Sequence, residues 1–140
     1  MNMEWKYATP LQSKDVFQQF EQRYHVSVPT PLRELVEAHN GAYPLPPTYV
    51  VDGDVHEVKA LLSWNEEEDE NVWDAMRHMQ YEQLHNVLPF MNDNFGNWIA
   101  LQFDPLEDEA AVVWIEAEEK HTIEPIAPSW EAFWASFQTT

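Results

Sequence analysis

The residues of this sequence best suited to hold a metal ion, or to move a proton near neutral pH, are its six histidines. A helical zinc site contains a His-Glu-x-x-His motif, and the chain has no such motif. His78 and His85 are seven residues apart, so in one helix they would stand roughly 10 Å apart along its axis. That distance is too great for one ion. We therefore predict structural or surface histidines, and neither a metal nor a cofactor.

Other catalytic arrangements are equally hard to find. The absence of cysteine excludes a disulfide framework, a zinc–thiolate site, an iron–sulfur cluster and a cysteine nucleophile. No serine lies in a Gly-x-Ser-x-Gly motif, and three glycines in all leave no phosphate-binding loop. The 25 acidic residues offer so many acid–base pairs that no glycosidase pair can be chosen. We predict that the chain is not an enzyme, with a carboxylate-based hydrolase kept as the third alternative.

One polar loop, residues 92–96, has some of the composition of a calcium-binding loop. With Gly96 at the turn position of such a loop, Phe95 occupies a ligand position, and Gln102 stands where a bidentate glutamate belongs. The loop is therefore predicted to be the glycine turn of a hairpin rather than a cation site.

Carboxylates are concentrated in two runs, the first acidic run (residues 66–70) and the second acidic run (residues 104–109). Such runs cannot pack, so we predict solvated loops, or for the first run the exposed first turn of a helix. The candidate partner-binding residues are Glu66, Glu67, Glu68, Asp69 and Glu70 in the first run, and Asp104, Glu107, Asp108 and Glu109 in the second.

The charge balance limits the kinds of partner. Seven Lys and Arg against 25 Asp and Glu give a formal net charge of −18. Nucleic-acid phosphates and anionic lipid surfaces repel such a protein, whereas a basic macromolecule attracts it. Two interpretations of the acidic runs stay open: loops that maintain solubility, or a surface complementary to a basic protein partner.

Length and composition favour one folded domain over residues 1–140, with residues 1–10 as an irregular arm. The chain is 44% hydrophobic and 14% aromatic, unlike disordered acidic sequences. It has no apolar run near the ~20 residues of a membrane span, and residues 1–10 do not resemble a signal peptide. These features predict a cytoplasmic protein that does not insert into membranes.

Four helices are predicted from capping residues and from apolar residues three and four positions apart. Ser13 would cap a helix running to Tyr24, and Thr30 would cap a second helix with Pro31 in its first position and Asn40-Gly41 at its end. A third helix spans residues 71–82. A fourth follows Ser129, and its aromatic stripe is interpreted as core: Trp130, Phe133, Trp134 and Phe137.

The remaining apolar segments predict strands. Residues 49–51 and 55–64 flank the turn dipeptide Asp52-Gly53 and should form a hairpin, after a stiff proline-rich crossing over residues 44–47. Further strands are predicted around residues 86–90, 98–103 and 111–117, the last of them away from the sheet edge. The fold class is therefore α+β, a mainly antiparallel sheet of about four to six strands packed with about four helices.

The order of these motifs resembles that of the SUKH superfamily, from about Ser13 to Phe137. The resemblance lies in residues 24–29 with 35–41, in residues 87–90 with 93–101, and in residues 112–115 with 126–133. The residues that carry these motifs or form their turns and caps are Pro29, Asn40, Gly41, Gly53, Pro89, Asp93, Gly96 and Ser129.

The resemblance implies an α+β domain that works by binding other proteins. Many bacterial members are immunity proteins that neutralise a cognate toxin, often a nuclease, and a fungal relative regulates cell-wall synthesis. For this chain it implies an immunity protein that blocks a basic toxin domain, with a regulatory or scaffold adaptor as the alternative.

Overall fold

The computed structural model describes residues 3–118 and 122–138. Within these ranges the chain forms four helices: α1 (Val16–Tyr24), α2 (Thr30–His39), α3 (Val72–Tyr81) and α4 (Trp130–Ala135). The same ranges contain nine strands: β1 (Glu4–Lys6), β2 (Tyr43–Leu45), β3 (Thr48–Val51), β4 (Asp54–Glu57), β5 (Ala60–Leu61), β6 (Val87–Asn92), β7 (Trp98–Gln102), β8 (Ala111–Ile115) and β9 (Ile123–Ala127).

The largest sheet is antiparallel, with five strands in the order β5-β6-β7-β8-β9. The helix α3 lies between β5 and β6 in the chain and packs against β6, while α4 packs against β8 and β9. Strands β1 and β2 form a separate antiparallel pair, and β3 and β4 form another. Helices packed on an antiparallel sheet make this an α+β fold, which confirms the predicted class.

The first two helices do not begin where their predicted capping residues would place them. Helix α1 begins at Val16, because the Ser13 hydroxyl accepts a hydrogen bond from the backbone N–H of Asp15 (3.2 Å) in a turn ahead of the helix. Thr30 is the first residue of α2 and not its cap, since extended Pro29 precedes it. Helix α1 thus begins two residues later than predicted and α2 one residue earlier.

The other helix ends lie close to the predicted positions. Asn71 and Ser129 cap α3 and α4, where their side chains accept backbone N–H groups from the first turn of each helix. Helix α2 ends before Asn40-Gly41, and Gly41 has a φ of 71°. Only glycine adopts this left-handed conformation without strain, so the chain can turn sharply here.

Three predictions about strands are wrong. The segment predicted as an irregular arm contains β1, although residues 1 and 2 lie outside the described ranges. The proline-rich crossing contains β2, which pairs with β1 through Trp5 opposite Pro44. The single strand predicted over residues 55–64 is divided between β4 and β5, which belong to different sheets. Strand β9 was not predicted at all.

The hydrophobic core joins the helices to the large sheet through aromatic rings. On the α1 side, Phe20 and Trp64 are buried with ring centroids 4.6 Å apart. On the α4 side, Phe133 packs against Tyr49 of β3 (5.4 Å) and against Phe137 (5.1 Å), which lies just beyond α4. The aromatic stripe near the C-terminus is therefore core, as its spacing predicts.

Candidate protein-binding surface

The first acidic run forms ion pairs with cations on two helices and with one cation between β4 and β5. Glu66 lies 3.5 Å from Arg23 of α1 and 3.6 Å from Arg77 of α3, and Glu70 lies 2.5 Å from the Lys59 ammonium. Three of the seven Lys and Arg residues are thus engaged by this one loop. Much of the charge that the sequence presents here is offset within the molecule.

Glu68, in the centre of the first acidic run, turns inward. Its Oε1 accepts hydrogen bonds from the Thr9 hydroxyl (2.9 Å), the Ser63 hydroxyl (2.7 Å) and the Asn65 amide (2.6 Å). The buried Asn40 extends this network, because its amide donates to Ser63 Oγ (3.2 Å). The prediction that the run cannot pack is therefore wrong at Glu68, which ties the N-terminal segment to the loop after β5.

The network also sets the ionisation of Glu68. Partial burial disfavours the charged carboxylate and by itself would raise its pKa. The hydrogen bonds from Ser63, Asn65 and Thr9 favour the charged form and outweigh burial, so the pKa of Glu68 lies below its ordinary value of 4.5. Glu68 is an ionised structural group at neutral pH.

The second acidic run contrasts with the first. Residues 104–109 are all exposed, and none of them forms an ion pair within the described part of the chain. Asp104 shapes the loop, since its carboxylate accepts the backbone N–H of Leu106 (2.9 Å). Leu106 is 91% exposed at the tip of the loop. An apolar side chain thus stands among carboxylates that the fold does not neutralise.

A cleft of about 250 Å³ lies beside the second acidic run, between the end of β7 and the start of α4. Phe103 and Trp130 supply aromatic surface, and Asp108, Glu109 and Glu131 supply negative charge. The loop and the cleft together form one acidic surface with apolar contacts, which has the chemistry to bind a basic protein.

A third acidic surface, which we call the hairpin groove, is not evident from the sequence. It has a volume of about 780 Å³ and lies between the β3–β4 hairpin, the loop joining β6 to β7, and strands β8 and β9. No lysine or arginine is among the described residues that line it. Its carboxylates are Asp52, Asp54, Glu57, Asp93 and Glu124.

Two local features shape the hairpin groove. Asp52 (φ 51°) and Gly53 (φ 84°) form the tight turn that joins β3 to β4. Asp93 holds the opposite wall, where its carboxylate accepts four hydrogen bonds, from the backbone N–H groups of Phe95 and Asn97, the Asn97 amide and the Trp114 indole. The residues singled out as turns in the sequence thus shape a groove rather than a calcium site.

Tyr49 lies at the inner side of the hairpin groove and is only 3% exposed. Its ring stacks on that of His56 (5.4 Å), a second lining residue. Burial, together with the nearby negative charge of Asp93, raises the pKa of Tyr49 to about 12. The phenol therefore stays protonated and can both donate and accept a hydrogen bond.

The same ranges offer little support for other chemistry. Among the residues that the structure describes, no three His, Asp or Glu side chains are grouped closely enough to hold a metal ion. His121 lies outside those residues. None of the helices in the described ranges has the length and apolar character required to cross a membrane.

These observations define an α+β fold whose accessible chemistry is a set of acidic surfaces with aromatic contacts. The family model described as the SMI1 / KNR4 family (SUKH-1) matches residues 12–136, so the chain belongs to that family. Searches of curated proteins and of solved structures give no match. Members of the SUKH superfamily are in general protein-binding domains rather than enzymes.

Proposed function

We propose that this chain is an immunity protein that acts in the cytoplasm, where it binds a basic toxin domain and blocks it without catalysing a reaction. Membership of the SMI1/KNR4 family supports binding of a protein. The formal net charge of −18 supports a basic partner. A nuclease is one such partner, because its nucleic-acid-binding surface carries positive charge.

The observation that carries this proposal is the contrast between the two acidic runs. The first is engaged by Arg23, Arg77 and Lys59. The second forms no ion pair with any described residue and surrounds the exposed Leu106. Charges that the fold does not use, placed around an apolar side chain, suit the polar rim and apolar centre of a protein interface.

The test begins with co-expression of the chain and the product of the neighbouring gene, followed by purification of the complex. The association rate is then measured for a variant of the second run carrying Asp104→Asn, Glu107→Gln, Asp108→Asn and Glu109→Gln. A control with the same change of charge carries Glu4→Gln, Glu34→Gln, Glu37→Gln and Glu118→Gln, which are exposed residues elsewhere.

We expect the second-run variant to associate about tenfold more slowly at low salt, because charges near an interface steer the encounter. The control should change the rate by about twofold or less. Absence of any complex, or of protection from the toxin's effect on growth, would contradict the proposal. Capture of several unrelated proteins without a toxin would favour the regulatory adaptor instead.

A further inference from the structure

The hairpin groove combines carboxylates and aromatic rings on one concave surface. Five carboxylates surround it, and the side chains of His56, Phe95 and Trp114 line it. Phe95 is 87% exposed, so its ring is available to a ligand. Glu57 accepts a hydrogen bond from the Asn94 amide (2.9 Å), and Asp52, Asp54 and Glu124 form no ion pair with a described residue.

A separate observation at Tyr49 indicates that the groove is built for a polar ligand. The residue is almost fully buried and lines the groove, yet the structure records no hydrogen bond from its hydroxyl to another described residue. The hydroxyl is not among the fully buried side-chain atoms that lack a partner, so it is open to the solvent of the groove. A ligand that enters the groove and reaches Tyr49 would hydrogen-bond this hydroxyl.

We propose that the hairpin groove receives an arginine side chain from an extended basic segment of the partner protein, resting on the proposed protein-binding function. The guanidinium would stack on the aromatic rings and donate hydrogen bonds to the surrounding carboxylates. Of the nearby acceptors, Asp93 already accepts four hydrogen bonds. Asp54 and Glu124 are therefore assigned as the main acceptors, and Tyr49 as the group at the inner end.

Arginine fits this chemistry better than lysine does. A guanidinium is planar, stacks on aromatic faces and presents several donors in a fixed arrangement. An ammonium is a compact, strongly hydrated charge that gains less from rings. The volume of about 780 Å³ exceeds what one side chain needs, so the flanking residues of an extended segment can also enter.

The probe for this proposal is a short capped peptide with two arginines, compared with the same peptide carrying lysine or citrulline. Citrulline keeps the planar shape and loses the charge. Binding to the isolated protein is followed at low salt by the NMR signal of the Trp114 indole N–H, which donates to Asp93 within the groove wall. Because no partner protein is present, the measurement does not depend on identification of the toxin.

The groove variant carries Asp54→Asn and Glu124→Gln, and its charge-matched control carries Glu34→Gln and Glu37→Gln, which are exposed on α2. We expect the arginine peptide to bind about tenfold more weakly to the groove variant, since charge-assisted hydrogen bonds are lost. The control should weaken binding by about twofold or less, since only long-range attraction falls. Tyr49→Phe should weaken binding while leaving the melting temperature unchanged, because the hydroxyl makes no recorded bond within the described fold.

Several results would overturn the proposal. They are equal binding of the lysine and arginine peptides, equal loss in the groove variant and its control, or no shift of the Trp114 signal at about millimolar peptide. Peptide binding with this pattern but no co-purified partner would support the groove and contradict the immunity function. A toxin complex that is insensitive to the groove variant would do the reverse.

Discussion

At the scale of single residues, Glu68 shows that a carboxylate in an acidic run can belong to the fold. Its neighbours in the run are exposed, whereas Glu68 accepts three hydrogen bonds from side chains. One donor, Thr9, is distant in the chain, and the other two, Ser63 and Asn65, are near. Thr9, Ser63 and Asn65 have no sequence pattern that relates them to Glu68. The role of this residue follows from tertiary structure alone.

Glu68→Ala should lower the free energy of unfolding by about 1–3 kcal/mol, because it leaves part-buried donors without their acceptor. The matched control is Glu67→Ala, an exposed neighbour in the same run, and it should have an effect within about 0.5 kcal/mol. Urea denaturation at neutral pH measures both. Equal stability of the two variants would contradict the structural role of Glu68.

The ionisation of Glu68 should make the stability of the protein depend on pH in one direction. Because folding lowers the pKa of Glu68, its ionisation contributes stability that is fully present above its unfolded value of 4.5. That contribution is lost as the pH falls through the lower folded value. Glu68→Gln should therefore show a shallower decrease in stability below about pH 4.5 than the unchanged protein, as measured by melting temperature against pH.

A second test at the scale of one residue concerns Gly41, in the turn after α2. Gly41 has a φ of 71°, and a Cβ added there would meet Thr9 Oγ1 at 3.5 Å, an ordinary contact. Gly41→Ala should thus destabilise the protein by about 1 kcal/mol through backbone strain alone. Gly41→Asn should cost less, since asparagine tolerates this conformation better. Thermal unfolding of both variants measures these effects. An unchanged melting temperature for Gly41→Ala would contradict the predicted strain in this turn.

At the scale of elements, helices were the easiest feature to predict. Their signals are local: Asn71 and Ser129 cap through the first turn that follows them. Strand β9 was missed because Glu124 and Pro125 interrupt its apolar pattern, and β1 because its pairing with β2 joins distant segments. The hairpin groove was missed for the same reason, since Asp54, Asp93 and Glu124 come from separate parts of the chain.

Neutralisation of the two acidic runs should change the stability of the protein differently. Glu66→Gln with Glu70→Gln removes the ion pairs to Arg23, Arg77 and Lys59 and should lower stability by up to about 1 kcal/mol. Glu107→Gln with Asp108→Asn removes only repulsion and should leave stability unchanged or slightly higher. Chemical denaturation of the two double variants tests this, and equal effects would refute the contrast between the runs.

At the scale of the whole molecule, a net charge of −18 acts against the compact state. Salt should therefore raise the melting temperature of the isolated protein as the Debye length falls to about 8 Å near physiological ionic strength. The same salt should slow association with a basic partner. Melting curves and association rates over one salt series test both expectations. A melting temperature and an association rate that both rise, or both fall, with salt would contradict this account.

Strand β9 has a further consequence for how other chains can meet this protein. In an antiparallel ladder, opposite residues alternate between pairs that are joined by backbone hydrogen bonds and pairs that are not. The Glu116 N–H donates to the Thr122 carbonyl (3.0 Å), and Trp114 lies opposite Glu124, two residues further along each strand. Pro125 therefore lies in a pair without hydrogen bonds, and its nitrogen points away from β8. A strand of another protein placed along this outer side would find no backbone N–H donor at the middle of β9, because proline has none. Growth of the sheet by strand addition is therefore disfavoured there, and recognition at β9 depends more on its side chains.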